Sequence, residues 1–166
     1  YRIILTINTT TKERELWAEK AVFSSDTAGI GRNLSGIVCG CGVAIVEYGV
    51  KEFIIGHYGG FDRLAASAVK AAKHLYPDVK LILLLPYHPA ERPIPTPDGF
   101  DNTFYPPGME SVPRKIAIVR ANRYVVDHVD YLIAYAWHPA SNAWELVEYG
   151  RRRKGQNHLQ VTILKR

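Results

Sequence analysis

Glu52-Phe53-Ile54-Ile55-Gly56-His57-Tyr58-Gly59-Gly60-Phe61-Asp62-Arg63 is the stretch that decides the fold. Its first four residues favour a short strand. The glycines that follow punctuate that strand with a turn. From Arg63 to about Tyr76 the chain is rich in alanine and reads as a helix, which Pro77-Asp78 breaks. Lys80-Leu81-Ile82-Leu83-Leu84-Leu85 comes next as an uninterrupted apolar run, the pattern of a strand buried on both faces in a parallel sheet.

The same alternation extends in both directions. Upstream, Ala21-Val22-Phe23-Ser24 reads as a buried strand running into a small-residue turn at 25–31. Asn33 or Ser35 can cap a helix reaching about Tyr48. Leu34, Ile37, Val38, Cys41, Ile45 and Tyr48 fall at helical spacing on it, and Gly49 stands where a helix end favours positive φ. Downstream, a helix over about 114–128, a strand at 130–135, a helix over about 143–153 and a strand at 159–164 follow. Strands alternating with helices imply an α/β fold, a Rossmann-like three-layer sandwich with a mostly parallel central sheet. Residues 21–166 are expected to form a single domain, with 1–20 a strand or arm whose register the sequence leaves open. The segment 86–113 carries eight of the ten prolines. A connection of that length and composition is expected to be a lid or binding loop, and Tyr87, Phe100, Phe104 and Tyr105 equip it to pack on something.

Composition narrows the function classes. The chain has 166 residues, the size of one domain able to bury its own core. No apolar stretch has membrane-span length, and the opening residues lack a secretory pattern. Cys39 and Cys41 are too close for an ordinary stabilising loop, so a reducing, cytoplasmic setting is expected. The formal charge is +5, concentrated at Arg151-Arg152-Arg153-Lys154. Such a run is usually the solvated end of a helix, and it lacks the interleaved aromatics that stack on nucleic acid.

Three turns follow expected strands and should open on one edge of the sheet, where ligands of such folds sit. At 56–63, glycines admit close backbone approach, and the next helix presents free N–H groups that attract phosphate. Asp62 can cap that helix or hold a ribose hydroxyl, and Arg63 can pair with phosphate. A tight turn with no ligand is the plain alternative, since this is not a full G-x-G-x-x-G. At Ser141-Asn142 a helix cap is the plain reading and an anion site the sharper one. Glu145 then completes a capping box or serves as a general base. Ser24, Ser25 and Asp26 make the third turn, polar but not diagnostic. His57, His88 and His138 fall in loops without metal-ligand spacing, and Cys39-Gly40-Cys41 reads as helix core, so neither a metal nor another cofactor is expected.

Gly59-Gly60-Phe61-Asp62, with Ala65-Ala66 in the helix behind it, resembles the SLOG superfamily, a Rossmann-like group that includes LOG-type and DNA-processing-protein-like domains. The resemblance is to small SLOG proteins of bacteria and phages. It continues through the apolar strand ending in Pro86-Tyr87, the long loop, the helix bearing Arg120, Asn122 and Asp127, the strand at 130–135 and Ser141-Asn142-Ala143-Trp144. It spans about 50–155. Two places depart from the pattern. Ser24-Ser25-Asp26-Thr27 stands where the family commonly has Thr-Gly-His-Arg, and Ala121 stands where Arg directly precedes Asn. The Pro-Gly-Gly-x-Gly-Thr-x-x-Glu signature of LOG enzymes survives only as Pro139 and its position.

The resemblance implies a protein that binds or senses a nucleotide or nucleotide derivative. Its site would draw on Ser24, Ser25, Gly56, His57, Gly59, Gly60, Phe61, Asp62, Arg63, Arg120, Asn122, Ser141 and Asn142. Arg63, Arg114, Arg120 and Arg123 are possible phosphate partners. One alternative is an enzyme cutting a nucleotide N-glycosidic bond, with Asp62 and Glu145 as the available carboxylates. Another is a DNA-binding accessory protein, suggested by the positive charge. The resemblance also implies a homo-oligomer.

Overall fold

The computed structural model describes residues 3–8, 32–58, 60–134, 136, 142–153 and 159–164. Strand β1 is Ile3–Asn8, helix α1 Arg32–Val46 and strand β2 Val50–Ile55. Helix α2 is Gly60–Leu75, followed by β3 at Lys80–Leu84 and β4 at Asn102–Phe104. Helix α3 is Ala117–His128, β5 Tyr131–Ala134, α4 Asn142–Arg153 and β6 Gln160–Ile163. Among the described residues no helix is long and apolar enough to cross a membrane.

The expected architecture is present. The strands form one sheet in the order β4-β3-β2-β1-β5-β6. The β2–β3, β3–β4 and β5–β6 pairs are parallel, and β1 is antiparallel to both β2 and β5. The period of two along each strand then sorts the side chains. Phe53, Ile55, Leu81 and Ile133 join the α1 and α2 residues in one core. Ile54, Leu84, Leu132 and Ala134 join the α3 and α4 residues in the other. This is a three-layer sandwich. Phe53 is fully buried in it, which stabilises the fold by roughly 2–3 kcal/mol.

The helices obey the same arithmetic. On α2, Phe61, Ala65, Ala68, Val69 and Ala72 are buried at helical spacing, while Asp62 in the first turn and Lys73 and His74 in the last complement the dipole. Gly49 follows α1 at φ 63°, the left-handed conformation expected there. Cys41 is buried in α1, and burial pushes its thiol up to about 12, so it is a core residue. Arg151, Arg152 and Arg153 of the basic run close α4, where Arg151 pairs with Glu148 at 2.9 Å and Arg153 with Asp127.

Two regions go beyond the sequence reading. Part of the N-terminal section is the strand β1, inserted in the middle of the sheet. The strand expected at 21–24 lies outside the described residues. The proline-rich segment is no simple loop, because it contains β4, whose Leu84↔Phe104 register extends the sheet beyond β3. Asp101 leads into that strand. Its backbone N–H donates to the Leu81 carbonyl at 2.8 Å, and its carboxylate accepts from Leu81 N–H at 2.7 Å. The segment's aromatic residues do pack as expected: Phe100 against the α1/α2 core, and Tyr87, Phe104 and Tyr105 against the α3/α4 core.

Candidate ligand-binding cleft

All parallel strands present their carboxyl ends on one edge, and β1 begins there, with Ile4 opposite Ile55 and Ile3 opposite Ala134. Beyond Ile55 the chain turns through Gly56, His57 and Tyr58 before α2 begins at Gly60. The turn is closed by Asp62. Its side chain is 2% exposed, and Oδ2 accepts the Tyr58 N–H at 2.8 Å. A Cβ on Gly56 would stand 3.0 Å from that same oxygen. Glycine is therefore what lets the carboxylate lie against the turn.

Gly56, Tyr58 and Asp62 form one wall of a small open cleft. Leu84 and Pro86, at the end of β3, line it, and Ile118 and Asn122 complete it from α3. Those two lie four residues apart, so one helix face presents both. Tyr58 belongs to an aromatic rim. Its ring is 4.1 Å from that of His57 and 6.0 Å, edge-on, from that of Tyr87. The Arg92 guanidinium lies 5.8 Å from the Tyr58 ring and 5.3 Å from the Tyr87 ring. Arg92 thus docks the proline-rich segment onto the glycine turn.

Of the residues singled out from sequence, the cleft brings together Gly56, Asp62 and Asn122. His57 borders it through Tyr58, and Gly60 opens α2. Phe61 is buried in the α1/α2 core. Arg63 and Arg120 are exposed and do not line the cleft. Asn142 is the exposed first residue of α4, with Glu145 exposed in the same turn, also away from the cleft lining. Arg114 pairs with Glu91 at 3.4 Å. Arg123 lies 5.4 Å from the Tyr149 ring, on the α3/α4 side. Burial, with the hydrogen bond Tyr149 donates to Asp127 at 2.7 Å, raises that phenol above its ordinary pKa. Ser24, Ser25, Gly59, His138 and Ser141 lie outside the described residues.

Tyr58, Leu84, Pro86 and Ile118 were not among the sequence candidates. Ile118 carried a usable signal, its four-residue spacing from Asn122 on one helix. The others are ordinary strand-end and turn residues. Among the described residues no three His, Cys, Asp or Glu side chains group to hold a metal.

The arrangement offers a carboxylate acceptor, a carboxamide that both donates and accepts, an open glycine backbone and a helix N-terminus. None of the described residues lining the cleft is Lys or Arg. It is equipped to hydrogen-bond a polyhydroxylated or heterocyclic ligand. A scan against protein-family models and a search of curated protein sequences return no match to this chain.

Proposed function

We propose that the chain binds and senses a nucleotide or nucleotide derivative in the manner of the SLOG proteins it resembles, with the ligand held at the carboxyl edge of the sheet. The observation that carries this reading is the meeting of Gly56, Asp62 and Asn122 in one cleft at that edge. A carboxylate suits the hydroxyls of a ribose, and a carboxamide suits the mixed donor and acceptor edge of a base or sugar. The N-terminus of the sixteen-residue α2, with exposed Arg63 in its first turn, suits a phosphate at the rim.

Binding is favoured over hydrolysis because Asp62 and Glu145, the two available carboxylates, do not share the cleft. Binding to DNA is disfavoured because Arg151 and Arg153 of the basic run are engaged by Glu148 and Asp127.

Thermal unfolding with AMP, GMP, NAD and deoxynucleotides tests the reading. A ligand at a hundred times its Kd adds about 2.7 kcal/mol, which raises the Tm of a domain of this size by roughly 5–10 °C. Asn122→Leu keeps the side-chain size and should remove most of that rise. If millimolar nucleotide leaves the wild-type Tm unmoved, the reading is wrong. Release of free base on incubation would establish the enzyme instead.

A further inference from the structure

A second pocket adjoins the cleft and shares Pro86 with it. It is open to solvent along the proline-rich segment, with Tyr87, His88 and Glu91 from the start of that segment and Tyr105 and Glu110 from farther along. We propose that this pocket binds a small organic ammonium compound, with its alkylated nitrogen against the Tyr87 and Tyr105 rings and its charge answered by Glu110.

Three observations support the proposal. Aromatic rings and carboxylates in one lining are the combination that favours a weakly hydrated organic cation, since ring quadrupoles and formal charges attract it together. Among the described lining residues, two charged ones are acidic and one is basic. The basic one, Arg114, is already 3.4 Å from Glu91, which leaves Glu110 to answer a bound cation. Both carboxylates act on the Tyr105 hydroxyl: burial, then Glu110, then Glu91 hold this phenol above its ordinary pKa. The phenol therefore stays neutral, and the negative charge of the pocket is that of the glutamates. The short lining suits a small molecule, and its two glutamates disfavour the phosphate expected at the rim of the other cleft.

Calorimetric titration of the intact chain with choline tests the assignment. Its uncharged isostere, in which a quaternary carbon replaces the nitrogen, serves as the control. Choline should bind at least about tenfold more tightly than the isostere, because the ring and carboxylate attractions act only on the charged form. Glu110→Gln, at an exposed position, should weaken choline binding about fivefold. Tyr105→Leu should weaken it similarly, while Tyr105→Phe, which keeps the ring, should stay within about twofold of wild type. Three results overturn the assignment: no choline binding at millimolar concentration, equal binding of the isostere, or wild-type affinity in both Glu110→Gln and Tyr105→Leu. None of these bears on nucleotide binding, which rests on Gly56, Asp62 and Asn122.

Discussion

The two ends of the parallel strands are closed by the same device with different consequences. At the carboxyl end of β2, Asp62 ties a short glycine turn by accepting a backbone N–H of that turn. At the amino end of β3, Asp101 ties the long proline-rich segment by accepting the Leu81 N–H. Asp101 also takes Lys73 Nζ on both oxygens, at 2.7 and 2.6 Å. Lys73 reaches the Gly99 carbonyl as well, so α2, β3 and the segment meet at one neutralised ion pair. Asp62 instead borders a cleft. A carboxylate answered by a lysine within the fold is complete as structure, whereas one facing a cleft can also serve a ligand.

The largest effect is expected at Asp62. Replacing it with Ala removes the acceptor of the Tyr58 N–H in a buried place, at a cost of about 2–3 kcal/mol. Asp62→Asn keeps an acceptor there and should cost no more than about 1 kcal/mol. Denaturant unfolding of the three proteins measures both. If Asp62→Asn proves more stable than wild type, the negative charge is maintained against stability, which sharpens the case for a ligand. If Asp62→Ala is as stable as wild type, the carboxylate does not close the turn and the contrast with Asp101 fails.

Asp101 is more exposed, with a third of its side chain reaching solvent, so Asp101→Asn should cost only about 1 kcal/mol at neutral pH. The pH dependence is more diagnostic than the size. Burial alone would raise the Asp101 pKa, but the hydrogen bonds from Lys73 and the Leu81 N–H, with the charges of Lys73 and Lys80, hold it below its ordinary value. A depressed folded-state pKa gives stability that is present above the unfolded value, near 3.9, and lost as the pH falls through the folded one. The stability gap between wild type and Asp101→Asn should therefore be constant above about pH 5 and shrink below about pH 4. A gap that does not change with pH would mean the ion pair contributes nothing there.

How much of this was legible follows the same contrast. The strands at β2 and β3 and the helix between them announce themselves by apolar runs, alanine periodicity and the Pro77 stop. Asp62 and Gly56 could be named because a glycine turn after a strand is a local signal, and Asn122 because its helix resembles the Arg- and Asn-bearing helix of the SLOG proteins. Strand β4 could not, because Asn102 and Thr103 are exposed polar residues beside a run of prolines, and only the pairing with β3 makes them a strand. The direction of β1 was equally hidden, since a β-rich hexapeptide has the same composition whichever way it runs. The Asp101–Lys73 tie joins residues 28 apart in sequence and has no local signature at all. Local chemistry reads locally, and long-range closure does not.

The smallest expected effect concerns the contact that links the glycine turn to the proline-rich segment. Arg92 is exposed and lies over Tyr58 and Tyr87, so Arg92→Ala should cost about 0.5–1 kcal/mol. A value that small is best read as a coupling. In a double-mutant cycle with Tyr87→Leu, the two losses should be less than additive by a few tenths of a kcal/mol, because either change alone removes the shared contact. Amide exchange adds a spatial readout. Loss of Arg92 should speed exchange at Tyr58 and its neighbours while leaving Leu81, held by Asp101, unchanged. Strict additivity, or equal loss of protection at both ends of the sheet, would show that the segment is held by Asp101 alone and that the turn and the segment do not act on one another.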